Sequence, residues 1–429
     1  TNVVSYLYRT ADSPDWHKLS DYDYGDSSGF GPVAVDPKLN VAYGFKKKDG
    51  RLAVYAVALD GSLREDLVYA RPDVDVDELV QIGRQRHVVG VSFATDIRRT
   101  VYFDPEIEKV IATLQNALPH SPLIQVVDSS ADENWLLIFA ASDSDPGVYY
   151  LFDRKAHQLQ TFLVARRELE GLQLAKVRPV TYQAADGAVV PAYLTLPPGK
   201  EDAKGLPAIV LPHGGPSARD EWGFDWLSQF YAARGFVVLQ PEFRGSSGYG
   251  DAWFQQNGFR SWQIAIGDVL SAGRWLVKEG IADPDKLAIV GWSYGGYAAL
   301  QCAVTDPSVF KAVVAIAPVT DLSAFKEEHR RWSDFAVISA FVGDGPYLHD
   351  ASPAEQAGRI KVPVLLFHGA LDHNVSINES RLMLDRLRSA GVNAELVAWD
   401  NLDHYLEDSD ARAQLLGTSD TFLRKALDL

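Results

Sequence analysis

The sequence predicts two architectures in one chain: an all-β region over residues 1–172 and an α/β domain over residues 176–429. Three observations carry that reading. From Lys176 onward, short unbroken apolar runs alternate with amphipathic stretches, the pattern of a mostly parallel sheet covered on both faces. One such run, Lys286-Leu-Ala-Ile-Val290, stops at Gly291-Trp-Ser293-Tyr294-Gly295-Gly296, and a small-residue helix is predicted to start at once. Before Lys176 the runs are short, alternate in polarity and are punctuated by turns such as Asp49-Gly50 and Asp60-Gly61.

In the first region the dipeptide Val-Tyr recurs at Val54-Tyr55, Val101-Tyr102 and Val148-Tyr149, at intervals of 47 residues. Each copy is followed within a few residues by an aspartate: Asp60, Asp104 and Asp153. Several strands per period fit propeller blades better than a sandwich. The region holds about three to four such periods, fewer than a closed propeller usually has, so it is predicted to be the remaining part of a β-propeller whose first blades lie before Thr1 or have been lost. A start at Thr1 without Met is that of a processed, truncated or proteolysed chain. An open propeller edge would need covering or pairing.

The second region opens with a hairpin, Val180 to Leu196, around Asp186-Gly187. Strands are then predicted at Ala208–Leu211, Phe236–Leu239, Leu287–Val290, Ala312–Ile316, Val364–Phe367 and Ala394–Val397. The clearest helices are Trp262–Lys278 and Ile377–Ala390.

Composition narrows the function. With 47% hydrophobic residues in 429 there is ample material for two cores, and a net charge of −16 argues against a nucleic-acid partner. The single cysteine, Cys302, excludes an intrachain disulfide and reads as a small buried side chain. No apolar run reaches the length of a membrane span, and no signal-peptide pattern is present. The compartment stays open between a bacterial-type cytoplasm and periplasm, and a homo-oligomer stays open as well. No cofactor or metal is called for: His-Glu-x-x-His and cysteine pairs are missing from the sequence.

A strand–Gly-x-Ser-x-Gly–helix turn lifts a serine hydroxyl above a sheet edge, and such a serine needs a base, an acid to orient it and donors for an oxyanion. The α/β-hydrolase order is serine, acid, histidine, each after a strand. Asp372 follows Val364-Leu-Leu-Phe367, and His404 follows the next strand. Ser293, Asp372 and His404 are therefore the predicted nucleophile, orienter and base. His368 and His373 compete for the base, but only His404 follows the strand after the acid. The predicted oxyanion donors are the amides of Tyr294 and of Gly215, with Gly214 second, in Pro212-His213-Gly-Gly-Pro216.

His213-Gly-Gly-Pro216, Phe243-Arg-Gly-Ser-Ser-Gly-Tyr-Gly250, Gly291-Trp-Ser-Tyr-Gly-Gly-Tyr297, Ala317-Pro-Val319 and His368-Gly-x-x-Asp372-x-Asn-Val375 together resemble the prolyl oligopeptidase family over about residues 176–429. The resemblance implies a serine peptidase acting on short or flexible peptides, with a propeller ahead of the hydrolase. It places His213 where some relatives have a tyrosine adding an oxyanion contact. Val319, Leu322, Phe325, Tyr294 and Val375 fall where relatives line the pocket for the residue before the scissile bond, here an apolar one. Asn374 stands where several relatives carry an arginine for a substrate carbonyl. Glu242 stands where Asn or Asp is commoner, with no physical account from the sequence. Glu327-Glu328 are the paired acids nearest the predicted mouth, and they read as a solvated helix face. Alternatives are an isopeptidase opening lasso peptides, an esterase or lipase (disfavoured by the expected lack of a lid-like insertion) and a catalytically impaired binding module.

Overall fold

The computed structural model describes residues 3–10, 13–24, 27–254 and 259–429; Thr1, where the predicted first region begins, lies outside them. The chain divides into two compact units. One holds Thr1–Gln173 with Glu221–Phe224 and Gly248–Ala252, the other Leu174–Asp220, Asp225–Ser247 and Trp253–Leu429.

Among the described residues the N-terminal unit contains four small sheets of three, four, three and four strands, each built from strands consecutive in sequence and paired antiparallel. The 47-residue interval acquires a structural meaning here. Val54-Tyr55 lies in Arg51–Ala58, Val101-Tyr102 in Arg98–Tyr102 and Val148-Tyr149 in Asp145–Asp153, each the third strand of its sheet. An α-helix at Pro105–Ala117 departs from the all-β expectation, as does a short 3-10 turn at Arg167–Leu169. The signals of the α-helix are local. Asp104 accepts hydrogen bonds from the amides of Glu106 and Ile107, Pro105 opens the first turn, and Ile107, Ile111 and Leu114 bury one face. Those three pack with Leu136 and Ile138 of the last sheet.

The C-terminal unit is an α/β-hydrolase domain around one eight-stranded sheet. Its strands are β1 (Val177–Gln183), β2 (Val189–Thr195), β3 (Leu206–Val210), β4 (Val237–Pro241), β5 (Ala282–Trp292), β6 (Val313–Ile316), β7 (Val364–Gly369) and β8 (Ala394–Trp399). Their order is β1-β2-β4-β3-β5-β6-β7-β8. The first hairpin and the β2–β4 pair are antiparallel, and the remaining pairs are parallel. All six strands predicted in this region after the hairpin are present.

Alternation explains why these runs are apolar throughout. Ala208, Val210, Leu287, Ile289, Val313, Leu366 and their neighbours bury into one core, and Ile209, Ala288, Val290, Val314, Leu365 and Phe367 into the other. Each fully buried Val, Leu or Ile contributes roughly 1.5–3 kcal/mol over exposure, so polar residues on either face would be costly. Helices α1 (Trp226–Ala233) and α7 (Ser409–Ala426) contribute to the second core. Helices α2 (Trp262–Lys278), α3 (Tyr294–Thr305) and α6 (Ile377–Ser389) contribute to the first. Between β6 and β7 lie α4 (Leu322–Glu328) and α5 (Phe335–Val342).

The loop after β4 is pinned by an ion pair. Asp268 on α2 is fully buried and accepts from Arg244 N, Nε and Nη2 at 2.7–2.9 Å, while Arg244 Nη1 reaches Asp186 at 2.6 Å. Removing the guanidinium strands a buried carboxylate. Arg244→Met is therefore expected to cost roughly 3–5 kcal/mol of stability, measured by urea denaturation; an unchanged midpoint would refute the assignment.

Candidate active site

Ser293 sits between β5 and α3 at φ 59°, ψ −122°, a left-handed conformation that L residues avoid. Such strain persists because the surroundings enforce it. A Cβ at Gly291 would collide with the carbonyl of Gly295, and one at Gly295 with that of Pro212, so strand and helix close up only because both are glycine. The Ser293 amide donates to Ile316 O at 2.8 Å, tying the turn to the end of β6. Tyr294 is the first residue of α3, so its amide is one of the unpaired donors at a helix start.

Behind the cavity, His404 Nδ1 lies 2.6 Å from Asp372 Oδ2. Asp372 Oδ1 accepts from the amides of Asn374 and Val375, each at 2.8 Å. Oδ2 has a second neighbour, His368 Nε2, at 3.2 Å. Burial alone would raise the Asp372 pKa, but the His368 and His404 hydrogen bonds and the backbone donors outweigh it and hold the carboxyl well below its ordinary 3.8. The site thus contains a fixed anion at neutral pH. The two loops meet closely: a Cβ at Gly369 would strike the carbonyls of Leu402 and Asp403, and Trp292 Nε1 donates to His404 O at 3.0 Å.

His368 is fully buried. Its Nε2 donates to Val375 O at 2.9 Å, and its Nδ1 lies 2.7 Å from Ser380 Oγ. It therefore faces inward and holds the acid loop.

Ser293 and His404 line one cavity of about 880 Å³ in the C-terminal unit, with Gly214, Gly215 and Tyr294. Val319, Phe325, Asn374 and Val375 line it too. Asp372 is behind His404. Besides Asp372, two predicted residues are not among its lining residues. Leu322 is fully buried in the core. His213 stacks on Phe243 at 4.4 Å, its Nδ1–H donates to Gly214 O at 2.7 Å and its Nε2 lies 2.8 Å from Ser246 Oγ. Burial pushes His213 down to about 4, so it is neutral at pH 7. By holding the Gly214 carbonyl it fixes the plane of the Gly214–Gly215 peptide, whose N–H points the opposite way. Glu242 has its account as well: it is fully buried and its Oε1 accepts the Asp220 amide at 2.7 Å.

Sequence reasoning missed the wall between β6 and β7. Phe341 and Ile338 of α5, with Trp332 and His329, line the cavity, so the expected lack of a lid-like insertion does not hold. The signal was Phe335-Ala-Val-Ile-Ser-Ala-Phe-Val342, an apolar helix of which only Val342 is buried. His373 also lines the cavity, its ring 5.5 Å from that of Trp332. Glu327 is exposed and paired with Arg330. Glu328 is half-buried and adds its charge to the environment of Glu379.

Glu379 holds the segment after β6. Its Oε2 accepts from Thr320 N at 2.5 Å, Asp321 N at 2.7 Å and Thr320 Oγ1 at 2.9 Å. Burial, aided by Glu328, pushes its pKa from 4.5 up to about 8. The folded state then holds a proton that the unfolded chain releases, so stability falls as pH rises from about 4.5 to about 8. Glu379→Gln should flatten that slope. Denaturation midpoints of both forms across this range would show it; parallel profiles would refute the shift.

Residues 222–429 match the prolyl oligopeptidase family. The chain carries a prolyl oligopeptidase family domain. It is 29% identical over 431 residues to dipeptidyl aminopeptidase BIII of Pseudoxanthomonas mexicana, covering 96% of this chain and 62% of that protein. Against dipeptidyl peptidase family member 6 of Caenorhabditis elegans it is 26% identical over 459 residues, covering 98% and 60%. A puromycin-hydrolyzing peptidase of Mycobacterium tuberculosis superposes with TM-score 0.80 at 21% identity, over 96% of this chain and 63% of that one. That last likeness shows the fold. The chain thus spans less than two thirds of the length of these relatives. Among the described residues no helix is long and apolar enough to cross a membrane, and no group of three or more His, Cys, Asp or Glu could hold a metal ion.

Proposed function

We propose that this chain is a serine peptidase cleaving short or flexible peptides through an acyl-enzyme. The observation that carries the reading is Ser293 in its strained turn, lining the same cavity as a His404 bonded to a fixed Asp372 anion. Ser293 Oγ attacks the scissile carbonyl while His404 Nε2 takes its proton. The oxyanion is received by the amides of Tyr294 and Gly215, with Gly214 second and His213 acting through the peptide plane it holds. His404 then protonates the departing amine as the C–N bond breaks, and water repeats the sequence to release the acid and restore Ser293. Val319, Phe325, Val375 and Tyr294 form the apolar pocket for the residue before the scissile bond, and Asn374 donates to a substrate carbonyl. Leu322 supports that pocket from the core.

In the same reading, residues 1–172 are a partial propeller and residues 176–429 the catalytic domain. The consecutive antiparallel sheets, with Val-Tyr on the third strand of three of them, support it.

The test is mass spectrometry after a fluorophosphonate probe, followed by a panel of short peptides and a nitrophenyl ester. A single adduct on Ser293 and peptide turnover are expected. Ester turnover without any peptide cleavage would replace the peptidase with an esterase, and a folded chain with neither adduct nor turnover would favour a binding module.

A further inference from the structure

The cavity has a cationic group that the proposed mechanism leaves unused. Arg412, on the first turn of α7, is the one Lys or Arg among its described lining residues. It is half-buried and held in place. Nε donates to Leu406 O at 3.1 Å, Nη2 to Tyr405 O at 3.2 Å, and the guanidinium lies over the ring of Trp226, 5.1 Å from its centre. Among the described residues no carboxylate lies within ion-pair distance of it. Two of its five N–H donors are occupied by these carbonyls, so the fork keeps donors to offer. The acids that share the cavity do not neutralise it: Asp225 Oδ1 caps α1 at the Ser228 amide, and Asp334 is not bonded to Arg412.

Its place gives the side of the substrate it faces. Arg412 grips the carbonyls of the two residues after His404, while Trp226 meets Trp292, the neighbour of Ser293, edge to face at 6.4 Å. Trp292 in turn donates to His404 O. These contacts make one wall on the His404 side, and His404 is the group that protonates the departing amine. The leaving fragment therefore lies along that wall. A partly desolvated guanidinium with spare donors matches a carboxylate far better than a neutral amide.

Resting on the peptidase reading, we propose that Arg412 receives the free α-carboxylate of a short leaving fragment, making the enzyme selective for peptides that end soon after the scissile bond. A bland role, bracing the loop of His404, would weaken all substrates alike, and a dominant field from Asp225 and Asp334 would favour the amide.

The experiment uses alanine-based peptides with one apolar residue before the scissile bond and one to three residues after it, each as free acid and as C-terminal amide. Binding to Ser293→Ala is measured by calorimetry, with and without Arg412→Gln, and turnover is measured on the unmodified chain. The expected result is a preference of about ten- to a hundredfold for the acid at the best length, falling towards one in Arg412→Gln. Equal binding of acid and amide, a preference for the amide, or an unchanged ratio in Arg412→Gln overturns the proposal. Failure of the unmodified chain to cleave any peptide would instead sink the peptidase reading, while the binding ratio still decides the role of Arg412.

Discussion

Replacing Ser293 by alanine is expected to remove turnover by a factor on the order of a million and to abolish fluorophosphonate labelling, with the fold retained. The size follows from cooperation. Without the hydroxyl, His404 has no proton to accept and the fixed Asp372 charge serves nothing, so what is left is whatever the oxyanion donors and binding contribute. Alanine also keeps a Cβ at φ 59°, the same backbone strain that serine bears. The fold should therefore stand, and circular dichroism with a denaturation midpoint would verify it. Turnover within tenfold of the parent would exclude Ser293 as nucleophile.

Asp372→Asn is expected to lower kcat by about 10,000-fold. Asp372 Oδ1 is committed to two backbone amides, so the asparagine carbonyl takes that place. Its NH2 group must then face His404 Nδ1, whose proton points at Oδ2. A donor now confronts a donor. His404 responds by moving its proton to Nε2, the atom that has to be free to accept one from Ser293. A rate profile over pH would show whether the loss persists across the neutral range, as a wrong tautomer requires. In the parent chain the Asp372 contribution to stability is complete above about pH 3.8 and is lost only as pH falls towards its depressed folded value. The acid side of the activity profile should therefore not report Asp372. A loss of less than about tenfold in Asp372→Asn would show that the carboxylate is dispensable.

Much of the C-terminal fold was legible because its signals are local. A buried parallel strand has to be apolar on both faces, and runs such as Val364-Leu-Leu-Phe367 can be read without knowing their neighbours. The elbow is equally local, since Gly291 and Gly295 mark where strand and helix touch. The helix at Pro105–Ala117 was legible too, from its aspartate cap, proline and i, i+3, i+4, i+7 spacing, but it was masked by the strand pattern around it. The inward-facing histidines were not legible. Nothing near His213 or His368 in sequence says that one grips the Gly214 carbonyl and the other the acid loop. The apolar helix Phe335–Val342 could be seen in sequence; that Ile338 and Phe341 face a cavity could not.

By itself the sequence determined the strand and helix grammar of the hydrolase domain, the family motifs and the chain order of Ser293, Asp372 and His404, because each depends on spacing within a few residues. Only the tertiary structure decided which side chains meet. Trp292 reaches His404, Arg412 lies over Trp226 with no acidic partner among the described residues, and Leu322 goes to the core. Those outcomes depend on how loops separated by a hundred residues or more pack together, and burial is a property of that packing, not of the residue.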